Sequence, residues 1–451
     1  MKNSFALKLT TKIIIIMLSF YCTNLFAQNE ELINQMKFSL TNEVLDIWYP
    51  RTIDTTYGGF LTDFNYKWEM NGPQNKMLVS QARHVWTTSN MAEFLEDTRF
   101  KGYAEHGYNF LKTKMYDAQY KGFYLIRNRE GDETINYGNF KSAYSNSFAI
   151  YSLAAYYKIS KNEEALNLAK ETFLWLEKHA HDPINKGYYD LLNRDGSLQE
   201  LKNTKEGNRY SVNPKWKDQN SSIHLLEAFT ELYSVWKDDL LKERLTELLY
   251  LVRDVITNEK GSLTLYLTDD WQVISFKDSS AELREANHYL DHVSFGHDVE
   301  TAYLMLEAEH VLYGKNDLKT LTISKKMIDN SLTNGWDNNR GGLYYEGYYF
   351  SGKSDIEIID SSKVWWVQAE ALNAFLLMSK LFPNEKIYYQ SFLKEWEYIN
   401  KYLIDHENKG WYSAGLDQTP QAVNFPKAYD WKANYHNVRS LMNCIKILSE
   451  N

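Results

Sequence analysis

Along most of the chain, apolar residues recur three and four positions apart, and short glycine-marked turns interrupt them at a near-constant interval. Leu225, Phe229 and Leu232 follow the i, i+4, i+7 spacing of one helical face, and Leu372, Phe375 and Leu376 make a similar stripe. The stretch from Ser147 to Tyr157 reads as a helix buried on most sides. Between such segments come Tyr57-Gly58-Gly59-Phe60, Lys121-Gly122-Phe123-Tyr124, Lys186-Gly187-Tyr188-Tyr189, Lys260-Gly261-Ser262-Leu263, Gly341-Gly342-Leu343-Tyr344 and Lys409-Gly410-Trp411-Tyr412. Their glycines at 59, 122, 187, 261, 342 and 410 are separated by 63, 65, 74, 81 and 68 residues, and Asp54, Asp117, Asp182, Asn258, Asp337 and Asp405 stand just before them. Asp or Asn, then Gly, then a β-forming aromatic or Leu is turn chemistry leading into a short strand. A unit of this length accommodates two helices and a hairpin. Six near-equal units predict a closed repeat, an all-α (α/α)6 toroid of six helix pairs with short β-hairpins at one end. The ends of the inner helices would line a central pocket. An open helical solenoid is the alternative architecture.

Composition narrows the reading. With 44% apolar and 24% charged residues the chain is globular. A net charge of -9 with no basic run excludes nucleic acid as an expected partner. The N-terminus reads as a secretory signal: Lys2, Lys8 and Lys12 precede the apolar Ile13–Leu18 stretch, and small or polar residues close it near Ala27. That stretch is too short for a comfortable membrane span. Cys22 raises lipid anchoring as an alternative, for which the bulky Tyr21 is a poor fit. The expectation is therefore a signal over residues 1–27, one catalytic domain over 28–451, and a secreted or periplasmic monomer without a membrane after signal removal. The mature chain would keep only Cys444, so no internal disulfide can form.

No H-E-x-x-H, C-x-x-C, Walker loop, G-x-G-x-x-G or G-x-S-x-G string occurs, which weakens zinc-hydrolase, nucleotide-binding and serine-hydrolase readings. What remains is histidine-rich. In Gly296-His297-Asp298-Val299-Glu300, His297 and Glu300 lie three apart, away from the apolar face of Val299, Ala302, Tyr303 and Leu306. The bland reading is a capping or surface pair. Asn220 and His224, four apart, share another face, where a satisfied core histidine is the ordinary explanation. The strings Lys363-Val364-Trp365-Trp366-Val367-Gln368-Ala369-Glu370 and Trp431-Lys432-Ala433-Asn434-Tyr435-His436-Asn437 are core-like on their own, although tryptophans at a helix start also make stacking walls.

Together with Arg83-His84-Val85-Trp86, these strings in this order resemble the N-acylglucosamine 2-epimerase superfamily, and most of all its cellobiose 2-epimerase (mannobiose 2-epimerase) branch. The resemblance implies inversion at C2 of the reducing-end glucose or mannose of a β-1,4-linked disaccharide, with no cofactor and no metal. It implies His297 and His436 as paired acid/base groups, His224 as an aid to ring opening, and Arg83 as the holder of a developing oxyanion. Glu300 would orient or tune His297. Trp366 and Trp431 would stack on sugar rings, Tyr144 and Asn220 would form a hydrogen-bonding wall, and Glu346 would reach sugar hydroxyls. Ser222 departs from the branch, which commonly has a second histidine there. His84, His106, His179, His181, His288, His292, His310 and His406 are expected to be structural. The rivals are an aldose–ketose isomerase of the same superfamily acting on mannose-type monosaccharides, an (α/α)6 glycoside hydrolase built on two carboxylates, and an inactive glycan-binding protein.

Overall fold

The inner and outer halves of each predicted helix pair carry different burial patterns. In the computed structural model, which describes residues 29–134, 138–201 and 205–450, twelve long helices follow one another. They are α1 (29–48), α2 (Leu78–Phe94), α3 (Thr98–Phe110), α4 (Ala143–Ser160), α5 (Glu163–His179) and α6 (Gln219–Val235). The second half comprises α7 (Asp239–Leu251), α8 (Phe295–Tyr313), α9 (Leu318–Asn334), α10 (Trp365–Leu381), α11 (Lys386–Tyr398) and α12 (Tyr435–Ser449). The even-numbered helices are buried nearly all round: in α4 every residue from Ala143 to Tyr156 except Tyr144 is buried. The odd-numbered ones bury a stripe, such as Ala165, Leu166, Ala169, Phe173 and Leu176 of α5, and leave the other face to solvent. Each even helix packs on the next, and α12 packs back on α2, so the inner ring closes. The architecture is the (α/α)6 toroid. The expected signal, residues 1–27, lies outside the described residues, and among those described no helix is long and apolar enough to cross a membrane.

Six equivalent bridges mark the turns: Ile53–Phe60, Tyr116–Phe123, His181–Tyr188, Thr257–Leu263, Trp336–Leu343 and Ile404–Trp411. The short strand before each of four inner helices pairs antiparallel with a strand of the next unit, as Lys76 with Arg127, Lys141 with Leu192, Lys217 with Leu267 and Val293 with Gly347. These strands stitch neighbouring units together at one end of the ring. The turns themselves are tied down by charge. In the first, Asp54 accepts from the N–H groups of Thr56 and Tyr57 and meets the buried Lys76 ammonium at 2.9 Å. Lys141–Asp117, Lys217–Asp182, Lys363–Asp337 and Lys427–Asp405 repeat that pair. The fourth unit has neither charge: Asn258 replaces the acid and Val293 the lysine. Removing one partner of a buried pair costs about 3–5 kcal/mol, so losing both together is the stable way to drop it.

A second device clamps three of the turns to the inner ring. The fourth residue of α2, Gln81, accepts from the Phe60 N–H at 2.8 Å and donates to the Phe60 carbonyl at 2.9 Å. Asn146 of α4 does the same for Phe123, and Gln368 of α10 for Leu343. The approach is close enough to require glycine. Gly59 has φ +67°, and a Cβ there would stand 2.7 Å from Gln81 Oε1.

Candidate active site

Closing six inner helices into a ring aims one side of each at the axis. Because 3.6 residues make a turn, positions two and six of a helix point the same way. Those positions hold Tyr144 and Phe148 on α4, Asn220 and His224 on α6, Gly296 and Glu300 on α8, and Trp366 and Glu370 on α10. On α12 the second position is His436, and on α2 the sixth is Arg83. They surround a cavity of about 570 Å³ at the hairpin end, lined by Arg83, Tyr144, Asn220, His224, His297, Glu300, Trp366, Trp431 and His436 among others. Nine of the ten residues expected at the site therefore come together. Glu346 does not. It lies in the neighbouring cavity with His288 and Asp360, 3.6 Å from His292. Strand alternation explains this, since Tyr345 faces the central cavity and the next residue must face away.

Each of the three histidines is held at Nδ1. His436 Nδ1 bonds Glu370 at 2.5 Å, His224 Nδ1 bonds Glu227 at 2.9 Å, and His297 Nδ1 meets the Ser294 hydroxyl at 2.8 Å. With Nδ1 engaged, Nε2 is the ring nitrogen of each left for a further partner. Burial first, and then neighbouring imidazoles for His297 and Arg83 for His436, hold both well below the usual imidazole value of 6.5, so both are neutral at pH 7. Their rings flank one indole: Trp366 lies 4.7 Å from His297 and 5.8 Å from His436, centroid to centroid. Gly296 makes room for that indole, because a Cβ there would stand 2.6 Å from it.

Glu300 does not tune His297. Three residues apart on α8, the two are side by side, and Glu300 instead reaches across the ring to Arg439. Arg439 is the hub of a buried network that local spacing did not indicate. It pairs with Glu227, Glu300 and Glu370, while Tyr435 donates to Glu227 at 2.6 Å and Tyr303 to Glu370 at 2.5 Å. Burial alone would push Glu227 up, but the Arg439 charge and the His224 and Tyr435 bonds outweigh it and hold it at about 2. Glu300, Glu370 and His436 have the donor set and spacing of a metal site, yet the Arg439 guanidinium already binds both carboxylates and supplies the positive charge. Glu227 was findable from sequence, three residues after His224. Arg439, three after His436, had no such signal, because its partners come from three other helices.

Arg83 is 6% exposed, with its guanidinium 4.7 Å from the Phe148 ring centroid and 5.2 Å from that of Tyr435, and it donates to the Trp431 carbonyl at 3.4 Å. Its Nε and the Asn220 Oδ1 are buried polar atoms with no bond within the protein, as suits groups awaiting a ligand. Trp431 is half exposed at the rim. Among the cavity-lining residues Glu300 is the one carboxylate, and it is committed to Arg439. The remaining histidines sit elsewhere. His84 bonds the Tyr49 hydroxyl at 2.8 Å and stacks on Phe60, His106 bonds the Gly59 carbonyl, and His181 pairs with Glu247.

Residues 59–440 match the family model for N-acylglucosamine 2-epimerase (GlcNAc 2-epimerase). A cellobiose 2-epimerase of Ruminococcus albus is 31% identical over 92% of this chain and 98% of its own length. The structure of cellobiose 2-epimerase from Spirochaeta thermophila superposes with a TM-score of 0.80 at 28% identity, covering 94% of this chain and 98% of that one. A D-mannose isomerase of Marinomonas mediterranea is 25% identical over 90% of this chain and 96% of its own.

Proposed function

The chain belongs to the N-acylglucosamine 2-epimerase family of carbohydrate epimerases, and from that premise we propose that it inverts C2 of the reducing-end glucose or mannose of β-1,4-linked disaccharides. The observation that supports this reading best is the pair His297 and His436, both neutral, both anchored through Nδ1, and set on helices that flank α10 and its Trp366. Epimerisation at C2 needs the open-chain aldehyde, whose carbonyl acidifies the C2 proton. His224 assists opening by moving a proton at the anomeric oxygen. One imidazole then takes the C2 proton while Arg83 holds the enediolate oxygen, and a fixed cation does this best where water is sparse. The second imidazole, having first taken a proton at Nε2 from solvent, returns that proton to the opposite face of C2 and is left neutral, while the first keeps the abstracted proton until solvent removes it. Because either imidazole can be the neutral base while the other carries the proton, either epimer can be the substrate. Trp366 and Trp431 supply stacking faces for the two rings, and energy from the second ring orients the first. A carboxylate-pair hydrolase fits poorly, because the one carboxylate on the wall is bound to Arg439.

The D-mannose isomerase likeness favours one second reading, in which the same enediolate is reprotonated at C1 and yields a ketose. Incubation with cellobiose and with mannobiose in D2O, followed by NMR, separates the two. The expected result is the C2 epimer with deuterium at C2. A ketose product supports the isomerase instead, and preference for free mannose over both disaccharides overturns the disaccharide reading.

A further inference from the structure

The six units disagree at one clamp position, and the disagreement has a chemical consequence. In units one, two and five the fourth residue of the inner helix is an amide, Gln81, Asn146 or Gln368, which accepts from the N–H and donates to the C=O of the same turn residue. The equivalent residue of α8 is Asp298. Its Oδ1 accepts from the Leu263 N–H at 2.8 Å, as the amides do. Its Oδ2 takes the place of the amide nitrogen, is fully buried and has no bond within the protein. An ionised carboxylate cannot donate, whereas a carboxylic acid has one donor and one acceptor and reproduces the amide pattern. This is also the unit without a buried ammonium, since Val293 replaces the lysine that underlies the turn in units one, two, three and five. The polar groups of the turn beside it are neutral: Ser262 accepts from Asn330 at 2.8 Å and meets the Tyr349 hydroxyl at 3.2 Å.

We infer that Asp298 is a protonated carboxylic acid in the folded protein, clamping the Leu263 turn through Oδ2–H, and that this clamp positions the first turn of α8 with His297 one residue away. Burial agrees: it outweighs the Leu263 N–H and the Ser262 hydroxyl, which favour the ionised form, and pushes the carboxyl up from 3.8 to about 8. Asp298 is a positioning residue, and its proton stays on it throughout the reaction. The inference concerns the resting protein and holds whatever sugar the cavity takes.

The sign follows from linkage. Between pH 3.8 and about 8 the folded chain holds a proton that the unfolded chain releases, so this group lowers stability steadily as pH rises through that window. An amide has no such dependence. The test is the melting temperature of the full-length wild type, Asp298→Asn and Asp298→Gln from pH 5 to 9. The Asn variant is isosteric, and the Gln variant copies units one and five. The expected result is that at least one amide variant folds and that its melting temperature minus the wild-type value grows from pH 5 to 8 and then levels off. That variant should keep turnover within about threefold at pH 7, and its kcat should not share the fall above pH 8 that ionisation of Asp298 is expected to give the wild type. A difference independent of pH overturns the inference, because it means that Asp298 holds no extra proton in the folded chain, and so does failure of both amide variants to fold, because the site then requires the carboxylate.

Discussion

His436 and His297 share one cavity and one indole neighbour, but they rest on opposite kinds of support. His436 leans on the Glu370 carboxylate, itself shared with Arg439 and the Tyr303 hydroxyl, in a fully buried network of charges drawn from four helices. His297 leans on a hydroxyl of the preceding strand, Ser294, with the Gln219 amide 3.4 Å away, and its local turn carries no buried ion pair. A carboxylate at Nδ1 stabilises the imidazolium that forms when Nε2 takes a proton, whereas a hydroxyl orients the ring and adds no charge. The difference teaches that the two proposed proton-transfer groups, alike in depressed basicity, should respond unequally to the loss of their supports.

The largest effects break both sides equally. His297→Ala and His436→Ala should each lower kcat about 100- to 10,000-fold, with far-UV circular dichroism unchanged. More than about a tenth of wild-type kcat in either variant removes that residue from the proton-transfer step. Arg439→Met should act on one side only, through folding. It strands Glu227, Glu300 and Glu370 without their cation and should cost about 3–5 kcal/mol by urea denaturation. A variant as stable as wild type would mean that the three carboxylates are not held ionised by Arg439.

Smaller changes sharpen the asymmetry. Glu370→Gln removes a charged hydrogen-bond partner and should lower kcat about 10- to 100-fold, while Ser294→Ala removes a neutral one and should lower it about 2- to 10-fold. Equal losses would erase the distinction drawn between the two supports. The pH profile is the gentlest probe. Because both histidines are held below 6.5, the acid limb of kcat/KM should lie below that value. Below pH 6.5 the unfolded chain takes up protons that the folded histidines refuse, so stability should fall as pH drops through that region. An acid limb at or above 6.5 would show that neither group is depressed.

Much of this was legible in the sequence, and the limits have physical causes. The six glycine turns imposed their period because each needs the same left-handed backbone, so the toroid could be read from positions 59, 122, 187, 261, 342 and 410. The histidines stood out because inner-helix positions that would otherwise be apolar carried them. What failed was the assignment of partners. Spacing along one helix linked Glu300 to His297, as the same spacing does join Glu227 to His224, yet Glu300 makes its bond across the ring to Arg439. Glu346 was placed at the sugar hydroxyls by the family resemblance, whereas strand alternation sends it into the adjacent cavity. Local period predicts facing. It does not predict which far residue completes a buried charge.

The central claim is that His297 and His436 exchange the C2 proton from opposite faces, and C2 deuterium exchange in single-histidine variants tests it most directly. His297→Asn and His436→Asn would each be incubated in D2O with cellobiose and, separately, with its C2 epimer, and exchange followed by NMR before any epimer accumulates. The account predicts complementary behaviour, one variant exchanging only the glucose-type epimer and the other only the mannose-type. Exchange of the same epimer by both variants, or sustained epimerisation by either, would contradict it.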